Sequence, residues 1–86
     1  MKFLRTKGFT KAAAHLNNRQ INDLDAALAL YEKDRRSPML RDHALKGKMK
    51  GLRSFSAGWD LRVIYREEGG FITIILVNVG SHNQVY

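Results

Sequence analysis

The sequence predicts an α+β domain: a short N-terminal strand, a two-helix hairpin, then an antiparallel three-stranded meander, with the helices on one face of the sheet. Three observations carry this. Apolar residues recur at helical spacing from Phe9 to Tyr31. After Ser37-Pro38 the pattern changes to strand-like runs, with clear alternation in "DLRVIYR". The glycine-bearing "EEGG" then separates two such runs, as a hairpin turn does.

Taken in order, "MKFLRT" reads as a short strand. In "GFTKAAAHLNN", Phe9, Ala12, Ala13 and Leu16 fall on one helical face, Thr6 is placed to cap it, and Asn17 and Asn18 end it. A second helix runs through "RQINDLDAALALYEKD", with Ile21, Leu24, Leu28 and Tyr31 as its apolar stripe and Ala27 beside them. Asp23 and Asp25 near its start, and Lys33, Arg35 and Arg36 near its end, suit the helix dipole. The join at "NNRQ" reads as an αα-hairpin. Proline breaks the helical pattern at position 38, and "MLRDHALKGKMKG" reads as a basic loop. The strands are "LRSFS", "DLRVIYR" and "FITIILVNV". Leu61, Val63 and Tyr65 face the helices, whereas Arg62, Ile64 and Arg66 face the other way. "FITIILVNV", apolar on both faces, belongs in the centre of the sheet.

One domain accounts for residues 1–86, and 44% apolar content is enough for one core. With no cysteine there is neither a disulfide scaffold nor a thiolate metal site, which fits a reducing compartment. No apolar stretch reaches the roughly 20 residues of a membrane helix, and the basic "MKFLRTKG" has no signal-peptide core behind it. The expected setting is therefore soluble and cytoplasmic, with no membrane partner. A net charge of +7 on so small a chain points to a polyanionic partner.

The positive charge concentrates between Arg41 and Arg62, where six cations meet only Asp42 and Asp60. Lys46, Lys48 and Lys50 alternate with Gly47 and Met49, so an extended chain would aim all three amines one way. With Arg53 they form a candidate RNA-binding surface that tracks phosphates, and Phe55, Trp59 and Tyr86 are nearby stacking candidates. Of three histidines, His15 reads as structural or surface, while His43 and His82 lie in the basic loop and just past the last strand. Histidine changes charge near neutral pH and so suits proton transfer. No zinc-site spacing, P-loop, dinucleotide glycine fingerprint or nucleophile elbow is present, so no metal or cofactor is expected.

Four separated pieces carry a family resemblance. "LRDHALKGKMKGLRSF", "DLRVIYR" and "VGSHNQVY" contain His43, Leu45 and Gly47 as an H-x-L-x-G loop and Arg53 on the next strand. Asp60 then precedes an apolar strand ending in Tyr65, and Gly80-Ser81-His82 is followed by the terminal Tyr86. This pattern resembles the RelE/ParE superfamily of type II toxins, most closely its YafQ-like branch. The N-terminal half matches only in element order.

The resemblance implies a RelE-like fold and a ribosome-dependent endoribonuclease, an mRNA interferase. Such a toxin cuts mRNA in the ribosomal A site and is neutralised by a cognate antitoxin protein. It implies catalytic roles at His43, Asp60, His82 and Tyr86. Arg62 matches an arginine used in the RelE branch. One position departs: Ser56 stands where the YafQ-like branch usually has a further histidine, leaving the general base unassigned between His43 and Asp60. Metal-free cleavage through the 2′-hydroxyl needs a base, an acid and cations for the phosphorane. His82 suits the acid, and Arg53, Arg62 and Lys50 the cations. Two other readings share the fold: a ParE-like inhibitor of DNA gyrase, and an RNA-binding relative with weakened catalysis.

Overall fold

The computed structural model describes residues 1–86. Strand β1 (Lys2–Arg5) leads into helices α1 (Lys7–Ala13) and α2 (Asn18–Lys33). Strands β2 (His43–Ala44), β3 (Arg53–Ala57), β4 (Leu61–Glu68) and β5 (Thr73–Ser81) follow, and a one-turn helix α3 (His82–Val85) closes the chain. The predicted meander is present as β3-β4-β5 and is widened to five strands in the order β1-β5-β4-β3-β2. β1 lies parallel to β5, and the two-residue β2 forms inside the segment expected to be loop.

Helices α1 and α2 cover one face. Phe9, Leu24, Ala27 and Tyr31 meet Phe55, Ala57, Leu61, Val63, Tyr65, Ile74, Leu76 and Val79 in one core. Tyr31 is its hub, stacked on Phe55 at 5.0 Å and edge-on to Tyr65 at 5.3 Å between ring centroids. Thr6 caps α1 by accepting from the Phe9 amide, as expected. Asn17 instead opens α2, in a capping box with Gln20, because its oxygen accepts from the Gln20 amide while Gln20 reaches back. α1 therefore stops at Ala13, and Asp23 and Asp25 fall beyond the first turn of α2. Ile21 is 39% exposed, so the buried stripe of α2 begins at Leu24.

A β-bulge positions the far end of the sheet. Ile64 pairs with Asn78 but Tyr65 with Leu76, leaving Val77 as the extra residue. The bulge switches the alternation of β5, so that Leu76 and Val79 both face the helices. Asn78 and Gly80 are thereby turned to the opposite face.

That opposite face is not bare. Tyr86 hydrogen-bonds Ser54, which alternates with the core residue Phe55 on β3. The C-terminal turn α3 therefore folds back over β4 onto the arginine-bearing face. The two-helix hairpin keeps to one face, as expected, and this one-turn helix is an addition on the other.

Candidate active site

α3 owes its position to four residues. Ser81 and Gln84 form a capping box: the Ser81 amide donates to Gln84 Oε1 at 2.8 Å, and Ser81 Oγ accepts from the Gln84 amide at 3.4 Å. Gly80 is buried beneath that turn. A Cβ there would lie 2.9 Å from Gln84 Oε1 and 3.3 Å from Val85 Cγ1, so glycine is required by close approach. Val85 is buried and pins the turn to the sheet. His82 and Tyr86 remain exposed, with ring centroids 4.7 Å apart in an edge-on pair.

From this pair a continuous path crosses the sheet. The Tyr86 hydroxyl donates to Ser54 Oγ at 2.5 Å. Ser54, fully buried, sits directly opposite His43 in the β2–β3 register. Facing pairs of an antiparallel ladder share a face, so His43, Ser54, Tyr86 and His82 line one surface. His43 Nδ1 lies 2.9 Å from the Arg41 carbonyl. A carbonyl only accepts, so Nδ1 carries the proton, and in the neutral ring Nε2 keeps its lone pair.

Arg62 joins the same face between Ser56 and Gly80. Its hydrogen bonds run from Nη1 to the Trp59 and Leu61 carbonyls, at 3.3 and 3.1 Å. Asp60 ends the tight turn 58–60, next to the Leu61–Ser81 pair from which His82 departs. Its Oδ1 is buried without a hydrogen-bond partner, and the nearest cation, Arg19, is 3.8 Å away. The Asp60 side chain as a whole is partly exposed, so the rest of the carboxylate, not the buried Oδ1, faces solvent. Gly58 allows this turn through a φ of +70° and the absence of a Cβ, which would lie 2.6 Å from Asp23 on α2. No three histidine or acidic side chains gather closely enough to hold one metal ion.

Other sequence-predicted residues go elsewhere. Arg53 pairs with Tyr65 on the helix-covered face, away from His82 and Tyr86. Its guanidinium is engaged by Asp42 at 3.0 Å and by the Tyr65 hydroxyl at 3.2 Å. The Tyr65 hydroxyl donates to Asp42 at 2.7 Å, and Tyr31 donates to Tyr65 at 3.0 Å. Burial pushes the Tyr65 and Tyr31 phenols above the ordinary value. Burial lowers the Arg53 guanidinium, but its bonds to Asp42 and Tyr65 outweigh this and leave it raised. This network holds Asp42, the neighbour of His43, so Arg53 positions the loop rather than presenting a free cation to RNA.

Lys46, Lys48 and Lys50 are all exposed, but Gly47–Met49 forms a 3-10 turn. The chain is not extended there, so its alternation no longer sets the three amines on one side. Phe55 is fully buried in the core and unavailable for stacking, whereas Trp59 is 80% exposed at its hairpin tip. Sequence reasoning gave Ser54 no role. A lone serine in a strand carries no signal, and only the pairing shows that Tyr86 reaches it.

The family model described as the bacterial toxin of type II toxin–antitoxin systems, YafQ, matches residues 1–86. The chain belongs to the YafQ family of toxins. No curated protein matches its sequence. Solved structures that it resembles include YafQ from E. coli strain BL21(DE3), with TM-score 0.82 and 18% identity, over 99% of this chain and 97% of that one. Another is a copper-bound mutant toxin from Helicobacter pylori, with TM-score 0.72 and 27% identity over 100% and 99%. A third is the E. coli DinJ–YafQ toxin–antitoxin complex, with TM-score 0.79 and 19% identity over 99% and 96%. Of the motif positions in this YafQ-family chain, His43, Arg62, His82 and Tyr86 share the open sheet face, whereas Arg53 and Tyr65 lie on the helix-covered side.

Proposed function

We propose that the protein is a ribosome-dependent endoribonuclease that cleaves translated mRNA by acid–base chemistry in the cytoplasm, and that a cognate antitoxin protein neutralises it. The observation that carries this reading is the path from His43 through Ser54 and Tyr86 to His82. Two imidazoles suited to proton transfer lie on one open face, with Arg62 on a strand between them.

His43 takes the proton of the 2′-hydroxyl through Nε2, the nitrogen left free by the Nδ1 contact with Arg41. The 2′-oxygen then attacks the adjacent phosphorus. His82 protonates the departing 5′-oxygen, and Arg62 stabilises the charge that builds on the phosphorane. The P–O5′ bond breaks as the P–O2′ bond forms, so the products are a 2′,3′-cyclic phosphate and a 5′-hydroxyl. Asp60 orients the attacking hydroxyl through the exposed part of its carboxylate, Oδ1 being buried beside Arg19. Tyr86, held by Ser54, stacks on a base. The exposed Lys46, Lys48 and Lys50 contact phosphates around this face. Ser56 leaves the β3 position without a third imidazole, so the chemistry rests on the His43–His82 pair.

The antitoxin follows from the family, whose members belong to toxin–antitoxin systems. The similar E. coli YafQ is seen in complex with DinJ. No helix of this chain is long and apolar enough to cross a membrane.

Purified protein added to an in vitro translation reaction tests the proposal. Cuts within the translated message, absent from the same RNA without ribosomes, are expected. Uncut message together with inhibited supercoiling by purified gyrase would contradict it.

A further inference from the structure

The largest cleft, about 510 Å³, does not lie at the histidine face. It sits on the helix side at the β4–β5 turn, where the end of α2 meets the start of β3. Arg35, Arg36, Arg41 and Arg53 line it, and Asp42 is its one acid. Asp42 is already bound twice by Arg53 and is 8% exposed, so it neutralises that arginine alone. Arg35, Arg36 and Arg41 have no carboxylate partner, although 8 acidic residues were available to the sequence. Phe71, the one aromatic lining residue, holds the Arg35 guanidinium 3.7 Å from its ring centroid.

A second observation is independent of charge. The protein has two non-glycine residues with positive φ, Arg41 at 50° and Phe71 at 72°, and both line this cleft. Left-handed backbone at such residues costs about 1–3 kcal/mol and clusters where a ligand is held. Planar guanidiniums on a prearranged wall fit phosphate oxygens bidentately. With only Phe71 and Pro38 apolar, the wall offers no row of pockets for the hydrophobic anchors of a helical or extended peptide.

We propose that this cleft is a second RNA site, gripping the phosphates of a folded RNA segment distinct from the strand that is cut. The ligand's identity as RNA rests on the proposed function. The grip itself adds affinity on the side of the sheet opposite His43 and His82.

A 2′-O-methyl RNA hairpin, which has no 2′-hydroxyl to attack, tests binding apart from cleavage. Its affinity for the full chain is measured by anisotropy across a salt series. Arg36→Glu/Arg41→Glu is expected to weaken binding more than tenfold and to flatten the log–log salt slope by about 2. Arg36→Lys/Arg41→Lys should keep most of the slope. Lys7→Glu/Lys11→Glu on α1, which makes the same change in net charge, should cost far less. Because this hairpin is bound but never cut, the measurement reads binding whether or not the protein cleaves, so a failure of the cleavage proposal would not imitate a failure of this one. Equal losses from the cleft and α1 reversals would overturn the inference. So would a cleft reversal that spares the hairpin and abolishes binding of a polyglutamate peptide, which would assign the cleft to an acidic partner.

Discussion

Tyr86 and Ser54 show how much of the site depends on single contacts. Tyr86→Phe keeps the ring and loses the hydroxyl bond to Ser54. The expected cost is about 1 kcal/mol, read as about a fivefold rise in KM for translated mRNA. Tyr86→Ala also loses stacking and should cost up to about a hundredfold. In the proposed mechanism His43 and His82 act on the bond being broken, so alanine at either should lower kcat by about 10²–10⁴ while ribosome binding persists. The same scale shows where the sequence was legible. His43, Asp60, Arg62, His82 and Tyr86 were singled out by residue type and motif. Arg53 shares that motif but is consumed by Asp42 and Tyr65, and this depends on a register that only pairing establishes.

Among the elements, α3 and the loop bearing His43 are held by different forces. α3 depends on Gly80, because any side chain there meets Gln84 and Val85. Gly80→Ala is expected to displace the turn and cut activity sharply, and hydrogen exchange should speed up at α3 while β3 and β4 stay protected. The His43 loop depends on the Tyr31–Tyr65–Asp42–Arg53 network. Tyr65→Phe leaves that network one hydroxyl short and should lower stability by about 1–3 kcal/mol in urea unfolding. Helices and central strands were readable from periodicity, since burial on one side writes a period into the sequence. β2 was not, because two residues carry no period. The lysine loop misled for a related reason: alternation implies a shared side only in extended chain, and Gly47–Met49 turns.

Over the whole molecule, the charge of +7 is spread across two faces. The proposed chemistry belongs to the histidine face, and the arginine cleft lies on the other side of the sheet. Buried tyrosines give the fold an alkaline limit. The Tyr65 and Tyr31 phenols are raised in the folded state, so the unfolded chain loses those protons first as pH rises. Their contribution is whole below the ordinary value of about 10 and is lost as pH rises beyond it. Denaturant midpoints should therefore hold up to about pH 10 and fall above it, and Tyr65→Phe should fall less steeply over that window. Composition announced a polyanionic partner but not that the cations divide between two surfaces. That division depends on which arginines find a carboxylate, a matter of three-dimensional pairing.

The central claim, that His43 and His82 cut RNA through its own 2′-hydroxyl, is tested most directly by the chemistry of the cut ends. mRNA recovered from an in vitro translation reaction with the purified protein is analysed for its termini. The account predicts 2′,3′-cyclic phosphate and 5′-hydroxyl ends, lost with His82→Ala. Ends bearing 3′-hydroxyl and 5′-phosphate, or undiminished cutting by His82→Ala, would contradict it.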